Sequence, residues 1–163
     1  MPPCLRTSAL PFLSALLVCG RLFADDTEAE RKTLRGIKAV RVVIEDLSAD
    51  EVKDGLAAGQ IRTDVELRLR KAGVVVQTSS PFILYIYPHL MVRETGLYIF
   101  HLEVAIMQDA VITANGEDSL LTTWSASVLG TVGRVNMSRR VREDIGDLVD
   151  QFLNAYLSVN PRQ

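Results

Sequence analysis

Between Phe82 and Thr131 the chain carries three long strand candidates, 82–92, 97–112 and 119–131. They are separated by Arg93-Glu94-Thr95-Gly96 and by a break that contains Asn115-Gly116-Glu117-Asp118. A period of two turns one face of each strand toward a core and the other away from it. Short, polar, glycine-containing breaks join such strands as hairpins, so this part of the chain is expected to form an antiparallel meander.

The flanking segments complete the fold. Val40, Val42 and Ile44 alternate with Arg41, Val43 and Glu45 as a first strand. Ser48 and Glu51 stand in capping-box spacing and open a helical region that Gly55 and Gly59 interrupt, with a restart after Gly59. From there Ile61, Val65, Leu69 and Ala72 share one helical face, and Gly73 is placed to cap it. Residues 74–78 follow as a short β-branched strand, and a strand, helix, strand unit makes its two strands parallel. Val141, Ile145, Leu148, Phe152 and Tyr156 mark a last long helix, stopped by Asn160-Pro161. The expected class is α+β in the order β-α-β-β-β-β-α, a mixed five-stranded sheet with both main helices on one face and the other face left to solvent or partners.

A three-residue loop at Glu94-Thr95-Gly96, with Gly96 left-handed, sets the register of the first hairpin. Leu84 then faces Ile106, Ile86 faces Val104, Leu90 faces Phe100 and Val92 faces Tyr98, all toward the core. On the outer face Tyr85 meets Ala105, Tyr87 meets Glu103, His89 meets His101 and Met91 meets Ile99. Tyr85, Tyr87, His89, Met91, Ile99, His101 and Glu103 therefore form the expected partner-binding face, since apolar and aromatic patches of this kind mark interaction surfaces. His89 and His101 are the only histidines. With Glu103 beside them they are the sole candidates for a metal, and two histidines on neighbouring strands are more often plain surface residues. The expected metal and cofactor set is none. A small-ligand or metal binder around His89 and His101 is the alternative reading.

The first 24 residues read as a secretory leader: Arg6 supplies a positive start, residues 10–18 an apolar run, and Ala24 a small residue before Asp25. The run is about ten residues, half of the roughly 20 that a spanning helix needs, which argues against a stable membrane span. Val18 is too large for the position before an acylated cysteine, which argues against lipid anchoring at Cys19. Both cysteines, Cys4 and Cys19, lie in this leader. The remainder, 139 residues after removing 24 from 163, has no disulfide to form and must rest on a hydrophobic core. At this length one domain is expected, with residues 25–36 as a charged N-terminal segment able to form a short helix (Thr27 and Glu30 repeat the capping box) and 37–163 as the α+β domain. Losing Arg6 and Arg21 leaves 16 basic against 20 acidic residues, a net charge of −4. A mildly acidic chain without a basic stripe has no electrostatic footprint for nucleic acid.

No catalytic constellation emerges. The mature chain lacks a cysteine nucleophile and a GxSxG elbow. Ser125 and Ser127 alternate along a strand, and Gly130-Thr131-Val132-Gly133 reads better as a strand-to-helix loop than as an anion cradle. Asp64 and Glu66 on the first helix, and Glu143, Asp144, Asp147 and Asp150 on the last, read as solvated faces, and Arg139, Arg140 and Arg142 are expected to pair with neighbours. Trp124 shares its phase with Ala126 and Val128 and is expected in the core.

The strings Thr63-Asp64-Val65-Glu66-Leu67-Arg68-Leu69-Arg70, Thr123-Trp124-Ser125 and Tyr156-Leu157-Ser158-Val159-Asn160-Pro161 resemble those of small, exported, uncharacterised bacterial proteins. The element order is similar to envelope domains such as the TolB N-terminal domain and the penicillin-binding-protein activator lipoproteins, which implies a protein-interaction module. No residue inherits a role from that resemblance. The sequence thus points to an exported, periplasmic or secreted, non-enzymatic protein whose partner is another envelope protein or a second copy of itself.

Overall fold

The computed structural model describes residues 22–24 and 26–161. The five expected strands are present: β2 (Ala39–Ile44), β3 (Val75–Val76), β4 (Ile83–Val92), β5 (Leu97–Val111) and β6 (Asp118–Gly133). A further three-residue strand, β1 (Leu22–Ala24), joins them, so residues expected within the leader pair with the sheet. The order across the sheet is β1-β6-β5-β4-β2-β3. β2 is parallel to both β3 and β4, and β4, β5 and β6 form the antiparallel meander.

Local chemistry explains the helices. Capping boxes start α1 (Glu28–Thr33) at Thr27 and α2 (Ala49–Lys53) at Ser48, each with its Glu side chain returning to the cap amide. In α2 this reciprocal bond buries Glu51. The helix α3 (Ala58–Lys71) begins one residue before Gly59, not after it, because Gly55 alone takes the left-handed turn, at φ +91°. Gly73, at φ +82°, ends α3 in a Schellman arrangement: Val74 N–H donates to Leu69 O and Gly73 N–H to Arg70 O. A short 3₁₀ turn (Arg134–Asn136) leads into α4 (Met137–Val159). Asn160 then ties the end of α4 to the end of α1, accepting from Gly36 N–H and donating to Leu34 O.

α3 lies over β2 and β3, α4 over β5 and β6, and the two helices pack on each other. α1 sits on the same side, against β6 and α4. Ile61, Val65 and Leu69 of α3 and Val141, Ile145, Leu148 and Phe152 of α4 meet Leu84, Ile86, Phe100, Leu102, Val104, Ile106 and Trp124 in one continuous core. Trp124 is 1% exposed, stacks edge-on to Phe152 at 5.5 Å, and donates its indole N–H to Asp26. Asp144, expected on a solvated face, is instead fully buried within α4, where Arg140 Nε holds its Oδ2 at 2.7 Å.

Pro88 stands in the middle of β4, where a strand ordinarily needs its N–H. Glu45 N–H donates to Ile86 O, so the even positions of β4 address β2, and β2 ends at Ile44 opposite Ile86. The missing N–H of Pro88 therefore faces the side where no neighbour remains. Residues 130–133, expected as a loop, are strand instead: they continue β6, and neither Gly130 nor Gly133 has a positive φ. Gly130 is there for space. It lies opposite Phe100, and a Cβ at this position would sit 2.5 Å from the ring.

Candidate docking face

The turn at Glu94-Thr95-Gly96 places every outer residue. Gly96 is left-handed at φ +76°, its N–H donates to Arg93 O, and Arg93 N–H donates to Leu97 O. The register that follows is the expected one: Tyr85 opposite Ala105, Tyr87 opposite Glu103, His89 opposite His101 and Met91 opposite Ile99. All seven predicted residues lie on one side of the sheet, away from α1, α3 and α4. His89 and Met91 are exposed, Met91 at 52%; Tyr85, Tyr87, Ile99, His101 and Glu103 are half-buried among their neighbours.

The two histidines are organised by an aromatic ring. Tyr87 stacks parallel to His89, with centroids 5.8 Å apart, and meets His101 edge-on at 6.4 Å. Among the described residues no three His, Cys, Asp or Glu side chains come together in a way that could hold a metal ion. The face continues onto β6, where Leu129, 54% exposed, lies opposite His101 and Ser127 lies opposite Glu103. Glu103 is the only carboxylate at the outward positions of β4 and β5 between Ile83 and Met107. Such a surface is apolar and aromatic at its centre and carries little fixed charge, which is the composition of interface cores.

The helical side of the molecule is different in kind. A cleft of about 420 Å³ between α3 and α4 is lined by Asp64, Leu67, Arg68, Lys71, Arg139, Arg142 and Glu143. Its arginines are all paired: Arg139 with Glu143, Arg142 with Asp64 at 2.6 Å, and Arg68 with Asp150 at 3.1 Å. The expected pairing of the arginine cluster is thus realised, partly between helices. Gly146 makes this ladder possible, since a Cβ there would collide with the Arg68 guanidinium. No sequence pattern marks Gly146. Asp144 does carry a signal, because it falls between Val141 and Leu148 at core spacing.

Among the described residues no helix is long and apolar enough to cross a membrane. No protein-family model and no curated protein matches the chain. Solved structures similar to it include a dodecamer of a PelC variant from Paraburkholderia phytofirmans, at 14% identity and a TM-score of 0.44, covering 82% of this chain and 96% of that one. Another is a minor lipoprotein from Acinetobacter baumannii, at 16% identity and a TM-score of 0.34, covering 76% of this chain and 94% of that one. At these values the likeness assigns no role to any residue, and neither structure is one of the TolB or activator domains to which the element order is similar.

Proposed function

We propose that the protein is an exported, non-catalytic module of the bacterial cell envelope that binds a protein partner through the outer face of its sheet. The observation that carries this reading is the one-sided layering: α1, α3 and α4 all cover the same face, and no described element lies over Tyr85, Tyr87, His89, Met91 and Ile99. Large uncovered apolar patches on otherwise well-packed domains mark partner sites. The leader at residues 1–24 supports export, and the mature charge of −4, from 16 basic and 20 acidic residues, argues for a protein partner over nucleic acid.

Site-specific photo-crosslinking in the exported compartment tests it. A benzophenone amino acid at Tyr87 should give one or a few discrete adducts, whereas the same probe at Asp147, on the exposed side of α4, should give none. Substituting Met91→Asp should abolish the adducts at position 87. Equal labelling from both positions, or no adduct from either, would sink the proposal.

A further inference from the structure

Outside residues 127–129, which β1 covers, the border of the sheet is β6, and that border lacks the charges and prolines that ordinarily protect an edge. Residues 119–133 contain no charged residue and no proline, in a strand of 16 residues. Natural edge strands are kept from pairing with other chains by charges, prolines, brevity or cover. Here the one irregularity is a bulge, where the pairing passes from Ile106–Trp124 to Met107–Thr122 and leaves Thr123 extra.

The directions of the free backbone groups follow from the ladder. Arg134 N–H donates to Gly96 O, so the even positions of β5 and β6 bond to each other from Tyr98–Val132 to Ile106–Trp124. The N–H and C=O groups of Ser125, Ser127, Leu129 and Thr131 therefore point out of the sheet. β1 takes up this side at residues 127–129 only, running antiparallel to β6.

We propose that β6 is a strand-addition edge for a second copy of this chain, paired β6 to β6 antiparallel about a two-fold axis, and that Leu22–Ala24 occupies the edge until the leader is removed after Ala24. A two-fold pairing sets the residues at its axis against their own copies, so a charge there would oppose a like charge; residues 119–133 carry none. The strand already on this edge has the antiparallel orientation that the two-fold requires. Two-fold pairing also keeps outward residues outward, so the two outer faces become one surface, with the exposed Leu129 residues near the seam.

Sedimentation velocity over a concentration series compares two chains, one beginning at Asp25 and one at Leu22. The Asp25 chain should show a reversible monomer–dimer equilibrium, and the Leu22 chain should dimerise at least tenfold more weakly. Thr131→Pro in the Asp25 chain removes an outward N–H and spares the β5–β6 ladder; it should give a folded monomer. Amide exchange provides a readout independent of any variant: Ser125, Ser127, Leu129 and Thr131 should gain protection as concentration rises. An Asp25 chain that stays monomeric, or dimerises without protecting those amides, overturns the proposal. Equal dimerisation of the two chains overturns the role given to Leu22–Ala24. Tyr87→Ala should leave dimerisation intact, so this edge and the outer face stand or fall separately.

Discussion

Asp26 joins the start of the domain to its core. Its Oδ2 accepts from Trp124 Nε1 at 2.8 Å and from Arg31 Nε at 2.9 Å, and the Arg31 hydrogen bond, aided by that of Trp124, holds the carboxyl below the ordinary carboxylate range. Asp26→Ala strands a buried indole N–H and should destabilise the fold by about 1–3 kcal/mol in urea unfolding. Asp26→Asn keeps an acceptor and should lose less. Because the pKa is lowered in the folded state, the ionic contribution is present at neutral pH and is lost as pH falls through the folded value. The difference between wild type and Asp26→Asn should therefore close in acid. Tyr98 has the opposite sign. Burial, and then its hydrogen bond to Asp54, pushes the phenol up to about 12. The stabilisation it provides is in place below the ordinary phenol value and lost as pH rises through about 12. Burial raises Tyr156 as well, so phenolate absorbance should show late-ionising tyrosines in the native protein, of which the component near 12 is missing in Tyr98→Phe. The two tightly approached glycines should separate as well. At Gly130 a methyl meets the buried Phe100 ring, and overpacking of this kind costs about 1–3 kcal/mol. At Gly146 it meets the far end of the Arg68 side chain, which can swing aside. Losing a surface pair costs about 0–1 kcal/mol while the helix gains about 1 kcal/mol from alanine, so Gly146→Ala should be close to neutral. Equal losses at both sites would refute this distinction.

At the scale of elements, α4 carries the clearest test. Leu148 and Phe152 are fully buried against the sheet, whereas Asp147 is exposed. Leu148→Ala and Phe152→Ala should each cost about 2–5 kcal/mol. Asp147→Ala should stay within about 0.5 kcal/mol, and a comparable loss there would mean the helix is rotated. Elements bounded by local chemistry are legible in the sequence: the boxes at Thr27 and Ser48, the cap at Gly73, and the β4–β5 register, which a single left-handed glycine determines. The bulge at Thr123 is not legible, because neither a glycine nor any other turn residue marks it. Nor is β1, since three apolar residues at the end of an apolar leader carry no period that distinguishes strand from leader. Asp144 escapes for another reason. A carboxylate at a core position is legible only with its partner, and Arg140, one turn earlier, sits in a run of arginines that reads as a charged surface.

For the whole molecule, a single continuous core predicts a single transition. Trp124 is the only tryptophan and lies where β6 meets α4, so its fluorescence reports tertiary packing, while far-ultraviolet dichroism reports the helices. Urea curves from the two probes should coincide, as for a two-state domain of this size. Separate midpoints would show that the helical layer and the meander melt independently. The positions on the outer face are legible because the strand period of two and the turn at Gly96 together assign them, but what covers a face is a property of the assembled layers. Only the placement of α1, α3 and α4 on the same side establishes that these helices leave it open.

Pro88 has a consequence beyond its own strand. At the far end of the sheet β3 offers two residues, and where β2 stops Pro88 denies the next position an amide donor. That border therefore offers an added strand a shorter and more broken ladder than β6 does. With β6 as the proposed pairing border, one neighbour satisfies it, so crowding this protein should yield closed pairs and not a fibril.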